Sequence, residues 1–237
     1  MIVVFLATVV RSTFGFGEAL VAVPLLALRI PIGIAAPLAV LLSVTVAGVI
    51  VAHDWRKIHV RSASWLVFST LAGIPLGLWL LTAVNERHTK IILGAFILLY
   101  SIYSLSGRNR IHLKSDSRAW LLACGFFAGV LGGAYGLNGP PLVIYGSMRQ
   151  WSAQHFRATL QGYFLPASAI TMAAYLVAGL WNWPVTLYFF WSLPPAIIAI
   201  FIGRALNHRL PEDSFLKYVY LGLAGIGVLL LGQAIHW

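Results

Sequence analysis

Acidic residues are nearly missing from this chain. Six Asp and Glu stand against 16 Lys and Arg, a formal net charge of +10. Within the apolar runs the one acid is Glu18, at an edge. Paired carboxylates, the usual apparatus of acid–base hydrolysis, therefore have no place inside those runs. Cysteine is scarcer still. Cys124 stands alone, which excludes an intramolecular disulfide and any cysteine metal cluster. It lies in an apolar run and reads as a small packing residue. HExxH, CxxC, GxSxG and Walker spacings are all missing, so the sequence offers neither a zinc motif, a serine nucleophile elbow nor a phosphate loop. Charge of either sign is rare. It amounts to 9% of the residues, against roughly 25% in a soluble domain. A water-solvated globule is excluded on that ground, and no cofactor or metal is expected.

What the chain has instead is apolar length. Of 237 residues, 60% are hydrophobic. Ten apolar stretches recur from end to end: Ile2–Phe14, Glu18–Leu28, Ile34–Ala52, Trp65–Val84, Ile91–Leu105, Ala119–Leu131, Pro140–Met148, Ala158–Leu180, Val185–Gly203 and Phe215–Ile235. A spanning helix needs about 17–25 residues. Several stretches qualify, and the expected fold class is an all-α polytopic membrane protein. Residues 1–107 read as a first transmembrane repeat, 108–118 as a basic cytoplasmic linker, and 119–237 as a second repeat, together one compact membrane domain. The opening Met1-Ile2-Val3-Val4-Phe5 lacks the basic n-region of a cleaved signal peptide and reads as retained.

The basic residues fall in short loops beside the apolar runs, where they orient the chain and meet anionic headgroups of membrane lipids. That placement argues against nucleic acid as a partner. The seven histidines sit in loops or at segment ends and read as interfacial rather than metal-binding. Trp55, Trp65, Trp120, Trp151, Trp181, Trp183 and Trp237 lie near segment ends, as an aromatic belt does.

Glycine breaks two of the short segments in matching ways. The first reads Ser12-Thr13-Phe14-Gly15-Phe16-Gly17-Glu18, with Pro24 following. The second reads Gly132-Gly133-Ala134-Tyr135-Gly136-Leu137-Asn138-Gly139-Pro140-Pro141. Paired interruptions in corresponding positions point to a transporter's substrate site. Two geometries compete. If each short pair goes into the membrane and returns, twelve basic residues collect on one side: Arg56, Lys57, Arg61, Arg108, Arg110, Lys114, Arg118, Arg149, Arg157, Arg204, Arg209 and Lys217. Three, Arg29, Arg87 and Lys90, collect on the other. If each pair is one broken crossing, the sides are nearly even. Cytoplasmic loops carry the basic excess, so the first geometry is expected, with both termini outside. Five segments per half then make the halves inverted repeats by parity. Asp54-Trp55 against Asn182-Trp183, Pro75 (read as standing before a helix) against Pro194-Pro195, and Asn85 against Asn207 are further matched landmarks.

Phe14-Gly15-Phe16-Gly17 with Pro24-Leu25-Leu26 resembles the first signature of the sulfite exporter TauE/SafE family, also called the 4-toluene sulfonate uptake permease family. Gly132-Gly133 through Gly139-Pro140-Pro141-Leu142 is similar to its second signature, and Phe156-Arg157-Ala158-Thr159 to a third element. The resemblance covers nearly the whole chain in order. It implies an integral protein of the bacterial cytoplasmic (inner) membrane that transports small sulfur-containing or organic anions such as sulfite, sulfoacetate or related sulfonates. The chain departs at Asn138, where many second signatures carry glycine, and that departure bears on substrate choice.

The residues themselves give a rationale for anion binding. Glycine lets backbone leave helical geometry and approach a ligand. A helix restarting after a break exposes N–H groups and a positive dipole end, which bind oxyanions. On this reading Gly15, Phe16, Gly17, Gly136, Asn138, Gly139 and Pro140 line the pocket. Ser12, Thr13 and Tyr135 add hydroxyls, Gln161 reaches in from the eighth segment, and Arg11 binds the anion. Glu18 serves proton coupling or as Arg11's counter-ion, and Arg157 gates or receives substrate. For the glycines the competing role is close helix packing; for the hydroxyls it is a bond back to the helix's own carbonyl. For Arg11 and Glu18 it is snorkelling to headgroups. A passive anion channel, an intramembrane enzyme and a structural subunit are the alternative functions. A proton as coupling ion and a second copy of the chain, as a homodimer, complete the candidate partners.

Overall fold

The protein is described here by a computed structural model covering residues 1–54, 60–106, 118–149, 151, 153–207 and 212–235. Among the described residues all regular structure is helical. The order is α1 (Ile2–Phe14), α2 (Glu18–Ala27), α3 (Ile32–Asp54), α4 (Val60–Ala83), α5 (Glu86–Leu105), α6 (Arg118–Tyr135), α7 (Gly139–Met148), α8 (Ala153–Val177), α9 (Trp183–Asn207) and α10 (Glu212–Ile235). Six of these contain stretches long and apolar enough to cross a membrane. The chain is a polytopic α-helical membrane protein.

Three helices are too short to cross. α1 has 13 residues, α2 has 10 and α7 has 10. At about 1.5 Å per residue they reach about 15–20 Å, well short of a hydrocarbon core about 30 Å thick. The chain turns back on itself after α1 and again after α6. Thr8 donates to Glu18 at 3.2 Å, which is impossible if α1 ran straight on into α2. In the second unit Asn138 lies against Gly132, one helical turn back along α6. The two breaks are therefore chain reversals, not kinks within single crossings.

Local sequence accounts for the helix ends. Asn85 caps α5 through Arg87 N–H at 3.0 Å, and Asn182 caps α9 through Val185 N–H at 3.2 Å; such caps satisfy donors that the first turn leaves free. Two expectations need correction. Pro75 does not precede a helix; it lies inside α4, as Pro194 and Pro195 lie inside α9, which buried membrane helices tolerate. The sixth segment does not end at Leu131. α6 continues through Gly132 and Gly133 to Tyr135, and the chain leaves helical geometry only at Gly136. Trp55 and the basic linker 108–117 lie outside the described residues, as do the side chains of Asp54, Arg157 and Asn207.

Helix packing explains why those glycines stay helical. α4 packs on α6, α1 on α9, α3 on α8 and α5 on α10. Along the α4–α6 seam Gly73 and Gly77 face Gly129 and Gly133, and a Cβ on any of them would overlap the opposing helix backbone. Lipid tails are as apolar as leucine, so helices associate by such close contact rather than by hydrophobic exclusion. Hydroxyls seal the same region. Tyr175 donates to the carbonyls of Gly132 and Gly133 at 3.2 and 2.9 Å, and Thr70 shares a bond with Tyr163 at 2.8 Å. Large apolar side chains such as Phe68, Trp79, Leu99, Trp191 and Phe201 point outward, as a lipid-facing surface requires.

Candidate substrate site at the two chain reversals

The two reversals meet. Between them lies a cavity of about 20 Å³ lined by Arg11, Phe16, Gly17, Glu18, Ala19 and Leu20 from the first unit and Gly136, Leu137, Asn138, Gly139 and Pro140 from the second, with Ser43 and Phe164 also on its wall. That volume holds about one water. Backbone geometry creates the meeting. Gly15, Gly17 and Gly136 have φ of 85°, 97° and 71°, a left-handed conformation that costs a side-chain-bearing residue about 1–2 kcal/mol.

A buried ion pair forms one wall. Arg11 and Glu18 are each 2% exposed. Arg11 Nη1 donates to Glu18 Oε2 at 2.6 Å and to Ser43 Oγ at 2.6 Å. Thr8 donates to the other carboxylate oxygen, and Ser43 shares a bond with Ser168 at 3.0 Å. The guanidinium also sits 5.0 Å from the centre of the Phe164 ring, a cation–π contact. The pair does not snorkel; removing it from water requires the bonded partners seen here. Yet the arginine is not saturated. Its Nε and Nη2 are buried without an acceptor, leaving one edge of the fork free.

The opposite wall is Asn138. It stands at the start of α7 with no side-chain capping bond, and its Oδ1 is buried without a partner. Turning the amide over presents its NH2 instead. The two helix starts differ as donors. α2 opens with Glu18, Ala19 and Leu20, all of which carry N–H groups. α7 opens Gly139-Pro140-Pro141, and proline has no N–H. Equal contributions from both helix ends are thus ruled out by the sequence itself. The first unit supplies the guanidinium and most of the amides, and the second supplies Gly139 N–H and the Asn138 amide.

Other residues named from the sequence sit beside the cavity rather than on it. Gln161 donates to the Gly15 carbonyl at 3.1 Å, tying α8 to the first reversal. Thr13 donates to Val9 and Gly203 carbonyls at 2.8 and 3.3 Å. Ser12 packs on Gly203 in the α1–α9 seam. Tyr135 donates to the Thr89 carbonyl at 3.0 Å, away from the cavity. Reading from sequence overlooked Ser43, Phe164 and Ser168. The signal available was weak but present: Ser43 is one of two hydroxyls, with Thr45, in an apolar run, and Gln161, Phe164 and Ser168 follow one another at helical spacing on α8, as residues on one face do.

Comparison with known proteins gives one finding. A family model described as sulfite exporter TauE/SafE matches residues 1–230. No curated protein and no solved structure matches the chain.

Proposed function

The chain belongs to the sulfite exporter TauE/SafE family, a family of membrane transporters for sulfite and related anions, and from that premise we propose that it carries a small sulfur-containing or organic anion through the cavity between its two chain reversals. The observation that carries this reading is the unsatisfied edge of Arg11, buried in a residue that lines the cavity. An oxyanion such as sulfite or a sulfonate accepts two parallel bonds from such an edge. The N–H groups at the start of α2, the Gly139 N–H and the Asn138 amide complete its shell.

The movement is alternating access by rocking of one half against the other. Helix pairing supports two related halves. Advancing each helix by five positions turns the α4–α6 seam into α9–α1 and returns α3–α8 and α5–α10 to themselves, and all four pairs are among the packed ones. With both termini outside and the basic loops in the cytoplasm, the two halves are inverted. The size of the cavity favours a carrier that changes shape over an open channel, since sulfite, a sulfur with three oxygens, needs more room than one water. Without a Walker motif the driving force is an ion gradient, the membrane potential or the substrate's own gradient. Arg157 stands near the start of α8, where we assign it to the cytoplasmic entrance. A homodimer is compatible with this scheme but not required by it.

Uptake into liposomes carrying the purified chain tests the proposal. Sulfite, sulfoacetate, thiosulfate, sulfate and chloride are compared with protein-free vesicles. Saturable flux of a sulfur anion is expected, and Gly139→Leu, which fills the cavity beside Phe16 and Phe164, is expected to abolish it in protein that still inserts and purifies. Flux that never saturates would favour a channel; full flux through Gly139→Leu would move the path elsewhere.

A further inference from the structure

Resting on the transporter reading above, we propose that Glu18 takes up one proton for each monoanion that docks on Arg11, so that anion and proton cross together with no net charge. The empty site is already neutral, because the Arg11–Glu18 pair is isolated. Among the described side chains, Glu18 meets Thr8 and Arg11 from α1, and Ser43 of α3 joins through Arg11. The cavity adds Phe16, Leu137, Asn138, Pro140 and Phe164. Arg11 is the one charged group in that set. The described side chains of α3, α8 and α10 carry no charge near it. Glu86 and Lys90 of α5 lie beside Leu28 and Arg29, past the far end of α2.

An arriving monoanion would change that balance. It occupies the free Nε–Nη2 edge of Arg11 while Glu18 still holds Nη1. One cation would then face two anions where Arg11 and Glu18 are each 2% exposed, and like charges repel far more strongly there than at a surface. Protonating Glu18 removes the conflict. A proton from water entering the cavity forms an O–H bond on the carboxylate. The Arg11–Glu18 ion pair becomes an ordinary hydrogen bond, and the anion replaces the carboxylate as Arg11's counter-ion. On release the O–H bond breaks, the proton leaves with the anion, and the ion pair re-forms. Both the empty and the loaded site are neutral, so neither leg of the cycle moves charge.

Charge per turnover tests this directly on the full chain in liposomes. Potential is set by a potassium gradient with valinomycin, lumenal pH is read by a dye, and the probes are sulfite and methanesulfonate, the latter a monoanion at every working pH. Saturable flux should acidify the lumen. The final accumulation ratio of methanesulfonate should ignore potential and shift about tenfold per pH unit. Glu18→Gln should move no proton, and its accumulation should instead shift about tenfold per 59 mV. Saturable wild-type flux whose accumulation follows potential would overturn the proton co-transport and leave the transporter reading intact. Saturable flux of neither probe would overturn that reading and the co-transport with it. The wild-type measurement decides the matter even where Glu18→Gln fails to fold.

Discussion

The same substitution, glycine to alanine, should have opposite effects at Gly77 and Gly222. At Gly77 a new Cβ would overlap the Val130 carbonyl oxygen and lie 2.8 Å from Ala134 N. Both are backbone atoms of α6, so no side chain can swing aside. The helices must part by about an ångström along a seam that also holds Gly73, Gly129 and Gly133. Overpacking of this kind costs about 1–3 kcal/mol, and separation loses the dispersion contacts that hold membrane helices together. At Gly222 nothing lies within 4 Å of the new Cβ, and alanine is the better helix former by about 0.5–1 kcal/mol. The expected gap between the two variants is therefore about 1.5–4 kcal/mol, from these same two terms. Thermal or denaturant unfolding in one detergent, read by tryptophan fluorescence, measures it. Equal stability of Gly77→Ala and Gly222→Ala would refute the claim that close backbone approach holds α4 to α6.

Four further outcomes follow from the site and its surroundings. Glu18→Ala should destabilise the fold by about 3–5 kcal/mol by leaving Arg11 buried and unpaired, whereas Arg11→Met with Glu18→Leu should cost less; a double change as harmful as the single one would speak against the pair. Gly17→Ala places a Cβ 3.2 Å from Val10 Cγ1 at a φ of 97°, so stability should fall by about 1–2 kcal/mol in the same unfolding assay. Tyr135→Phe loses one bond to the Thr89 carbonyl and should cost about 1 kcal/mol with anion affinity unchanged, as equilibrium binding would report. Ser43→Ala removes an acceptor from Arg11 Nη1 and a partner from Ser168; anion affinity should change while Ser168→Ala, one bond further out, changes it less.

Much of the fold was legible because lipid constrains sequence severely. Each of the ten apolar stretches is the body of one helix, and α1 runs over Ile2–Phe14 as its stretch does. The reversals were visible as glycine followed by proline. Their extent was not. Gly132 and Gly133 look like a break because glycine both ends helices and lets them touch, and only the opposing α4 reveals that the second role applies. The ion pair was visible as two charges seven residues apart; its free edge was not, because that depends on where Ser43 arrives from α3. Tyr135 shows the limit from the other side. A hydroxyl next to a break looks available, but its acceptor is Thr89, 46 residues away, and no local pattern records that.

The α1–α9 seam also has a consequence for how the chain is made. Thr13 of α1 bonds to Gly203 of α9, 190 residues further on, so α1 leaves the ribosome long before its neighbour exists. During that interval an arginine would sit in a nascent hydrophobic segment. Its counter-charge, however, comes from the very next helix, only seven residues on. The first hairpin can thus enter the translocon already neutralised and wait in the bilayer for α9 to be synthesised.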